Sequence, residues 1–285
     1  LFLSVSVLLL AACSKQPDTA SSEQKNDAAG LQTVVIASTG SDADIWRHIA
    51  SLPETKAAGI KLEVKNFTDY VAMNTAVANK EVDLNAFQSY AYLVAFNAAN
   101  KDKIAPVSTT YLEPMGIYSN KVKKVEEFAQ GATIAIPNDG ANESRALLLL
   151  QSAGLIKLKP DFDPVKGTPA DIIENSKKIV IKPIQMATAV RVKDEVDAIL
   201  LGNTLAMEGG LNVLKDAIFY EPIDQSTKLN INILATAESR KDDPVLQKVG
   251  ALYHTEAVKQ YVQEHFAGTK VDVNKPTSYL TEANP

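Results

Sequence analysis

The chain has 285 residues and a single cysteine, Cys13. That scarcity excludes a disulfide scaffold and any zinc site built on thiolates. The histidines His48, His254 and His265 are scattered. None takes the HExxH spacing that sets two imidazoles on one helix face, so no metal is expected. GxSxG, the Walker loop and GxGxxG are all missing. Their absence argues against a hydrolase nucleophile elbow, a nucleotide-phosphate cradle and a dinucleotide site. Gly209-Gly210 carries no phosphate motif either, and no cofactor is expected. The net charge is −5, without a long block of either sign, so a nucleic-acid partner is not expected. Past the first residues, no apolar run approaches the roughly 20 residues that span a bilayer. With 46% hydrophobic and 22% charged residues, the composition is that of a globular protein. Its length suits two moderate domains or one large one.

What the chain does have begins at its start. Residues 1–13 read LFLSVSVLLLAAC, an uncharged apolar run, two small residues and the cysteine. The run is too short to span a membrane and fits a secretory h-region of roughly 7–15 residues. The LAAC segment at 10–13 resembles a bacterial lipobox, in which cleavage leaves the cysteine as a lipidated N-terminus. With no initiator Met or basic n-region, residues 1–12 read as a signal peptide truncated at its start. The plainer alternative is a signal peptide followed by an incidental buried thiol. Residues 14–30 (SKQPDTASSEQKNDAAG) lack aromatic and branched aliphatic side chains. They cannot bury enough surface to order themselves. As a coil, this tether (13–30 with the cysteine) spans on the order of 20–25 Å.

From residue 31 short apolar runs alternate with helical periodicity. Strands are expected at 33–37 (TVVIA), 61–66, 81–84, 132–136 (ATIAI), 178–182, 196–201 and 230–236. Helices are expected at 44–52, 70–79, 87–97, 122–130, 143–152 and 187–193, with Thr168 opening a short one. Asp243 and Thr255 cap two more near the C-terminus. Strand and helix in alternation imply an α/β fold with a largely parallel sheet.

In an open α/β sheet, ligands bind beyond the carboxyl ends of the strands. There lie PNDGANESR (137–145), GNT (202–204) and FQSYAY (87–92), with amides, a guanidinium and rings but no catalytic set. If Asn142 caps its helix, Arg145 sits in the first turn, where the dipole favours anions and disfavours a cation. A bound carboxylate or phosphate would explain it. So would a surface pairing with Glu143 or Asp139, and an exposed first-turn arginine adds little to the fold. Asn142, Asn203 and Asn232 can both donate and accept, which suits an ammonium-carboxylate ligand. They fit equally as a cap, a turn residue and an edge-strand residue. Phe67, Tyr70, Phe87, Tyr90 and Tyr92 could wall an apolar pocket or belong to the core.

Several segments together resemble the methionine-binding lipoproteins of bacterial ABC importers, the NlpA lipoprotein family. They are FTDYV (67–71) with Asn74, VDLNAFQ (82–88), PMGIYS (114–119), IPND (136–139) with Asn142 and Arg145, GLIKL (154–158) and DIIEN (171–175). The resemblance implies a type II periplasmic-binding-protein fold, two α/β lobes joined by two crossings with ligand in the cleft. It implies lobe 1 at 31–117 plus 221–285 and lobe 2 at 118–220, with the crossings near Tyr118 and Glu221. Family binding positions match at Tyr70, Phe87, Tyr92, Asn142, Arg145, Asn203 and Asn232. There the arginine and asparagines hold the amino-acid head group, and the aromatics pack on the thioether. Ser89 stands where the family usually has a histidine, and Ala91 where it has a proline.

The implied function is a monomeric, non-enzymatic binding protein that delivers an amino acid, foremost L-methionine, to an ABC permease and its ATPase. With Ser89 at the side-chain end, a related amino acid or a methionine dipeptide stays open. So does a surface lipoprotein for adhesion or signalling with a vestigial cleft. The expected place is the cell envelope, lipid-anchored and facing the periplasm. Ser14 lacks the aspartate that marks inner-membrane retention in Gram-negative lipoproteins, which leaves the outer membrane open.

Overall fold

The computed structural model describes residues 30–222 and 225–282. The signal-like run, Cys13 and the tether up to residue 29 lie outside the described residues. The chain builds β1 (Gln32–Ser38), β2 (Ile60–Asn66), β3 (Leu84–Ser89) and β4 (Ile104–Thr109) into one sheet. It then builds a second from β5 (Met115–Tyr118), β6 (Thr133–Pro137), β7 (Val180–Ile184), β8 (Ala198–Gly202) and β9 (Phe219–Tyr220). β10 (Asn232–Ala237) returns to the first. The orders are β2-β1-β3-β10-β4 and β7-β6-β8-β5-β9. Two α/β lobes result, joined where the chain passes between sheets after Thr109 and after Tyr220.

Both sheets are mixed rather than largely parallel. β2, β1 and β3 run parallel, as do β7, β6 and β8, but β10 and β5 lie antiparallel to their neighbours. The reversal has a topological cause. β5 and β10 are the strands delivered by the two crossings, and each enters its sheet from the cleft side. The expected boundary at 117/118 falls inside β5, whose first residues already pair with β8.

Burial follows the pattern expected of strands covered on both faces. β10 is buried at every position and β8 at its first four. In the first lobe, Ile36, Leu84 and Leu234 from three neighbouring strands join Ile45, Trp46 and Ile49 of α1 (Gly40–Ser51) in one core. In the second, Ile117, Ile134, Ile136 and Leu200 join Leu147 and Leu150. Each such side chain contributes about 1.5–3 kcal/mol by burial.

Three local expectations fail for physical reasons. The strand expected at 81–84 lies instead at Leu84–Ser89, because β3 finds partners in β1 and β10. Phe87 and Ser89 are therefore strand residues. The helix expected to start at 87 is α3 (Tyr90–Ala99), capped by Ser89, whose hydroxyl accepts the Tyr92 N–H at 3.3 Å. The helix expected at 122–130 is one 3₁₀ turn, Val125–Glu127, ended where Phe128 turns into the core. Its apolar anchors, Val125 and Phe128, serve one turn and no more.

Candidate functional site

The carboxyl ends of both sheets face one cleft. The first lobe contributes Thr39 and Asp42 after β1, Tyr70 at the start of α2 (Tyr70–Ala78), Phe87 to Ser89 on β3, Tyr92 on α3, and Asn232 on β10. The second contributes Asn142 and Arg145 on α4 (Gly140–Ser152), Met186 after β7, and Gly202, Thr204 and Leu205 after β8. Glu113 enters from the first crossing. Together they enclose about 530 Å³, open solvent at the mouth included.

Seven of the eight proposed binding positions thus line one cavity: Tyr70, Phe87, Ser89, Tyr92, Asn142, Arg145 and Asn232. Asn203 does not. It opens α5 (Asn203–Glu208) fully buried behind the wall. Its amide donates to Glu113 at 3.2 Å and Thr269 at 3.1 Å, while its Oδ1 is buried without a partner among the described residues.

Arg145 differs from the sequence reading in two ways. Asp139, not Asn142, is the N-cap, accepting the Asn142 N–H at 3.1 Å. Arg145 therefore lies beyond the first turn, and the dipole argument loses its force. Nor is it a surface residue paired with Glu143 or Asp139; it is 7% exposed. Its Nε and Nη2 grip the Glu221 carboxylate at 2.6–3.1 Å, and Nη2 also donates to the Glu113 carbonyl at 2.8 Å. Burial alone would lower the arginine pKa; the charge and hydrogen bonds of Glu221, with the Glu113 charge, together outweigh it and hold the group above its ordinary value. Nη1 has no partner among the described residues. Its two protons are the part of the fork left for a ligand.

Glu221 belongs to the second crossing and Glu113 to the first, so Arg145 ties a helix of lobe 2 to both. Glu221 also accepts the Met115 N–H at 2.7 Å. Sequence reading missed both glutamates as site residues, although a signal existed. Each crossing carries a Glu-Pro pair, Glu113-Pro114 and Glu221-Pro222. Proline holds the preceding residue extended, which sends each glutamate across the junction.

A second ionic cluster sits beside the first. Lys270, its side chain fully buried, donates to Asp42 at 2.9 Å, Glu113 at 2.7 Å and Thr204 at 2.7 Å, over the Tyr111 ring at 4.0 Å. Burial would lower the lysine pKa; the two carboxylates outweigh it and raise it. Asp42 goes the other way: desolvation pushes it up against the pull of Lys270. Asp42 lies in α1, Thr204 in lobe 2 and Glu113 between, so this cluster also spans the lobes. At the same seam, α1 begins with Gly40 at φ +47°, and a side chain there would collide with the Glu208 carboxylate of lobe 2.

The opposite wall is apolar. Phe87 lies 5.1 Å from Tyr70 and 5.6 Å from Tyr92, the latter edge-on. Burial pushes both phenols well above the ordinary tyrosine value, so they stay neutral. Behind them the buried amides of Asn74, Asn85 and Gln88 close on one another at 2.8–3.0 Å. This mutual set of hydrogen bonds fixes the strand that carries Phe87 and Ser89. The Asn232 amide has no side-chain partner among the described residues. Asn142 donates its amide to its own cap Asp139 at 2.9 Å, which leaves its carbonyl oxygen without a partner among the described residues. The cleft thus offers a guanidinium edge, the unpartnered Asn232 amide and buried carboxylates at one end and three rings at the other. That pattern fits a zwitterion with an apolar tail.

Comparison with known proteins agrees. A protein named "Probable D-methionine-binding lipoprotein MetQ" from Pasteurella multocida is 34% identical over 264 residues, 93% of this chain and 94% of its own. "Outer membrane lipoprotein 1" from Mannheimia haemolytica is 36% identical, over 92% and 93%. A nutrient binding protein from Burkholderia cenocepacia, solved bound to methionine, superposes with a TM-score of 0.78 at 34% identity, covering 84% of this chain and 99% of that one. The family model described as NlpA lipoprotein matches residues 34–274, and the chain belongs to that family.

Proposed function

We propose that this chain is a lipid-anchored binding protein that holds L-methionine in the cleft and passes it to an ABC permease. The observation that carries the reading is Arg145: Glu221 and Glu113 immobilise one edge of the guanidinium while Nη1 stays unpartnered, across the cavity from the aromatic wall. A ligand carboxylate would accept from Nη1, and Asn142 and Asn232 would serve the head group. The thioether would lie against Phe87 and its neighbours, a contact of about 0.3–1.5 kcal/mol. The methionine-bound and methionine-named relatives support methionine as the ligand without fixing its hand, and the lipoprotein names support the anchor. Acylation would fall on the Cys13 sulfur. Labelled fatty acid incorporated at Cys13, and lost in Cys13→Ser expressed with a complete leader, tests it; an unchanged label in the variant contradicts it.

Ser89 sets the expected selectivity. It lines the cavity with a small side chain whose hydroxyl is engaged with the Tyr92 N–H. Being smaller than a histidine, it would leave space for a longer ligand such as glycyl-methionine to compete. Ser89→His is expected to raise the preference for methionine over the dipeptide by about tenfold, since filling or unpairing such a site changes binding by roughly 1–3 kcal/mol. Calorimetric titration of both ligands, with D-methionine beside them, measures the ratio. An unchanged ratio would remove Ser89 from the specificity account.

A further inference from the structure

The second lobe carries a concavity distinct from the cleft. β5 and β8 pair antiparallel, with Met115 opposite Gly202 and Tyr118 opposite Ile199. Gly202 lines the cleft, so Tyr118 points toward the other end of the sheet. There the segment after β5, the turn before β8 and α6 (Val213–Asp216) enclose about 890 Å³, open solvent included. The rings and alkyl groups of Tyr118, Leu211 and Ile218 contribute to its lining, and Lys123, Lys193 and Lys215 come to it from three separate segments.

None of these three ammonium groups makes an ion pair or hydrogen bond among the described residues. None of the nearby acids pairs with these lysines. Asp197 pairs with Lys121 at 3.1 Å. Asp216, the acid in the lining, accepts the Asn212 N–H at 2.6 Å, and Asp194 accepts from Asn120. Three ammonium groups and the Asp216 carboxylate thus line one concave space, a net positive surface in a chain of net charge −5. A concave surface with an excess of one sign of charge concentrates the opposite counter-ion.

We propose that this concavity binds a phosphate-type anion borne on a small apolar body. Lysine binds as a point charge rather than a planar fork. Three of them on one concavity suit a multiply charged tetrahedral oxyanion better than a carboxylate. The lysines would neutralise the phosphate while Leu211, Ile218 and the Tyr118 ring take the body. The anion could be a soluble phosphate ester or the head group of a phospholipid.

The test uses the full chain carrying Cys13→Ser, so that no acyl group drives membrane binding. It is compared with the same chain carrying Lys123→Gln, Lys193→Gln and Lys215→Gln. Glycerol 3-phosphate and inorganic phosphate are titrated at constant ionic strength and followed by amide NMR shifts. Vesicles of phosphatidylcholine, with and without phosphatidylglycerol, are tested by flotation. Saturable shifts at residues 118–123, 193 and 211–218 are expected, with binding at least tenfold weaker in the triple variant and methionine affinity unchanged. Saturable shifts with no lysine-dependent flotation assign a soluble ester. Flotation that needs both phosphatidylglycerol and the lysines assigns a lipid head group. Shifts that track ionic strength alone, or binding the triple variant leaves intact, overturn the proposal.

Discussion

Arg145→Ala should lose both ligand and stability. Removing the guanidinium strips the ligand carboxylate of its partner, a loss of about 2–5 kcal/mol for a buried charged pair. That is a weakening of roughly thirtyfold to several thousandfold. The same change leaves Glu221 buried without its counter-charge, which costs about 3–5 kcal/mol of folding stability. A role confined to the ligand would spare the fold; a purely structural role would spare affinity in the folded fraction. Calorimetry well below the melting transition separates the two, beside urea unfolding. Arg145→Lys keeps the charge but cannot make the same fork to Glu221 and Glu113, and should fall between. Full affinity in a folded Arg145→Ala protein would contradict the site.

Lys270→Met should be the most destabilising change outside the ligand contacts. It leaves Asp42 and Glu113 facing each other in a buried space, again about 3–5 kcal/mol. Adding Glu113→Gln should recover part of the loss, because a neutral amide needs no counter-charge. The pH dependence gives a second readout. Lys270 titrates above its ordinary 10.5 in the folded state. Its contribution is therefore complete below that value and is lost as pH rises through the folded pKa. The Glu113 pKa, raised by desolvation but drawn further down by Lys270, Asn203 and Arg145 together, ends below its ordinary 4.5. That contribution is present above 4.5 and fades as pH falls through the lowered value. The gap between native chain and variant in urea unfolding should thus be wide near neutrality and narrow above pH 10.5. A gap that widens with alkali would contradict the assignment.

The alternation of apolar runs and helical periods was enough to place most elements, because strands buried on both faces leave continuous runs such as TVVIA and AILL. What it could not place was the junction between β3 and α3. FQSYAYLVAF has helical spacing throughout, and only pairing with β1 and β10 pulls its first residues into a strand. The aromatic wall was legible as residues but not as a surface for that reason. Asn142 and Asp139 are both good caps, and a sequence offers no way to choose between them. Lys270 was invisible because its partners Asp42, Glu113 and Thr204 lie 228, 157 and 66 residues away. Nothing local marks a lysine that will be wholly buried. Glu221 was read only as a crossing, and its grip on Arg145 depends on the two lobes meeting.

The central claim is that the cleft holds methionine through Arg145 and the aromatic wall. The most direct measurement is calorimetric titration of the purified, ligand-stripped chain with L-methionine, with Arg145→Ala beside it. One methionine per chain, bound in the micromolar range or tighter and lost in the variant, is the predicted result. A folded native chain that shows no saturable binding at millimolar methionine would contradict it.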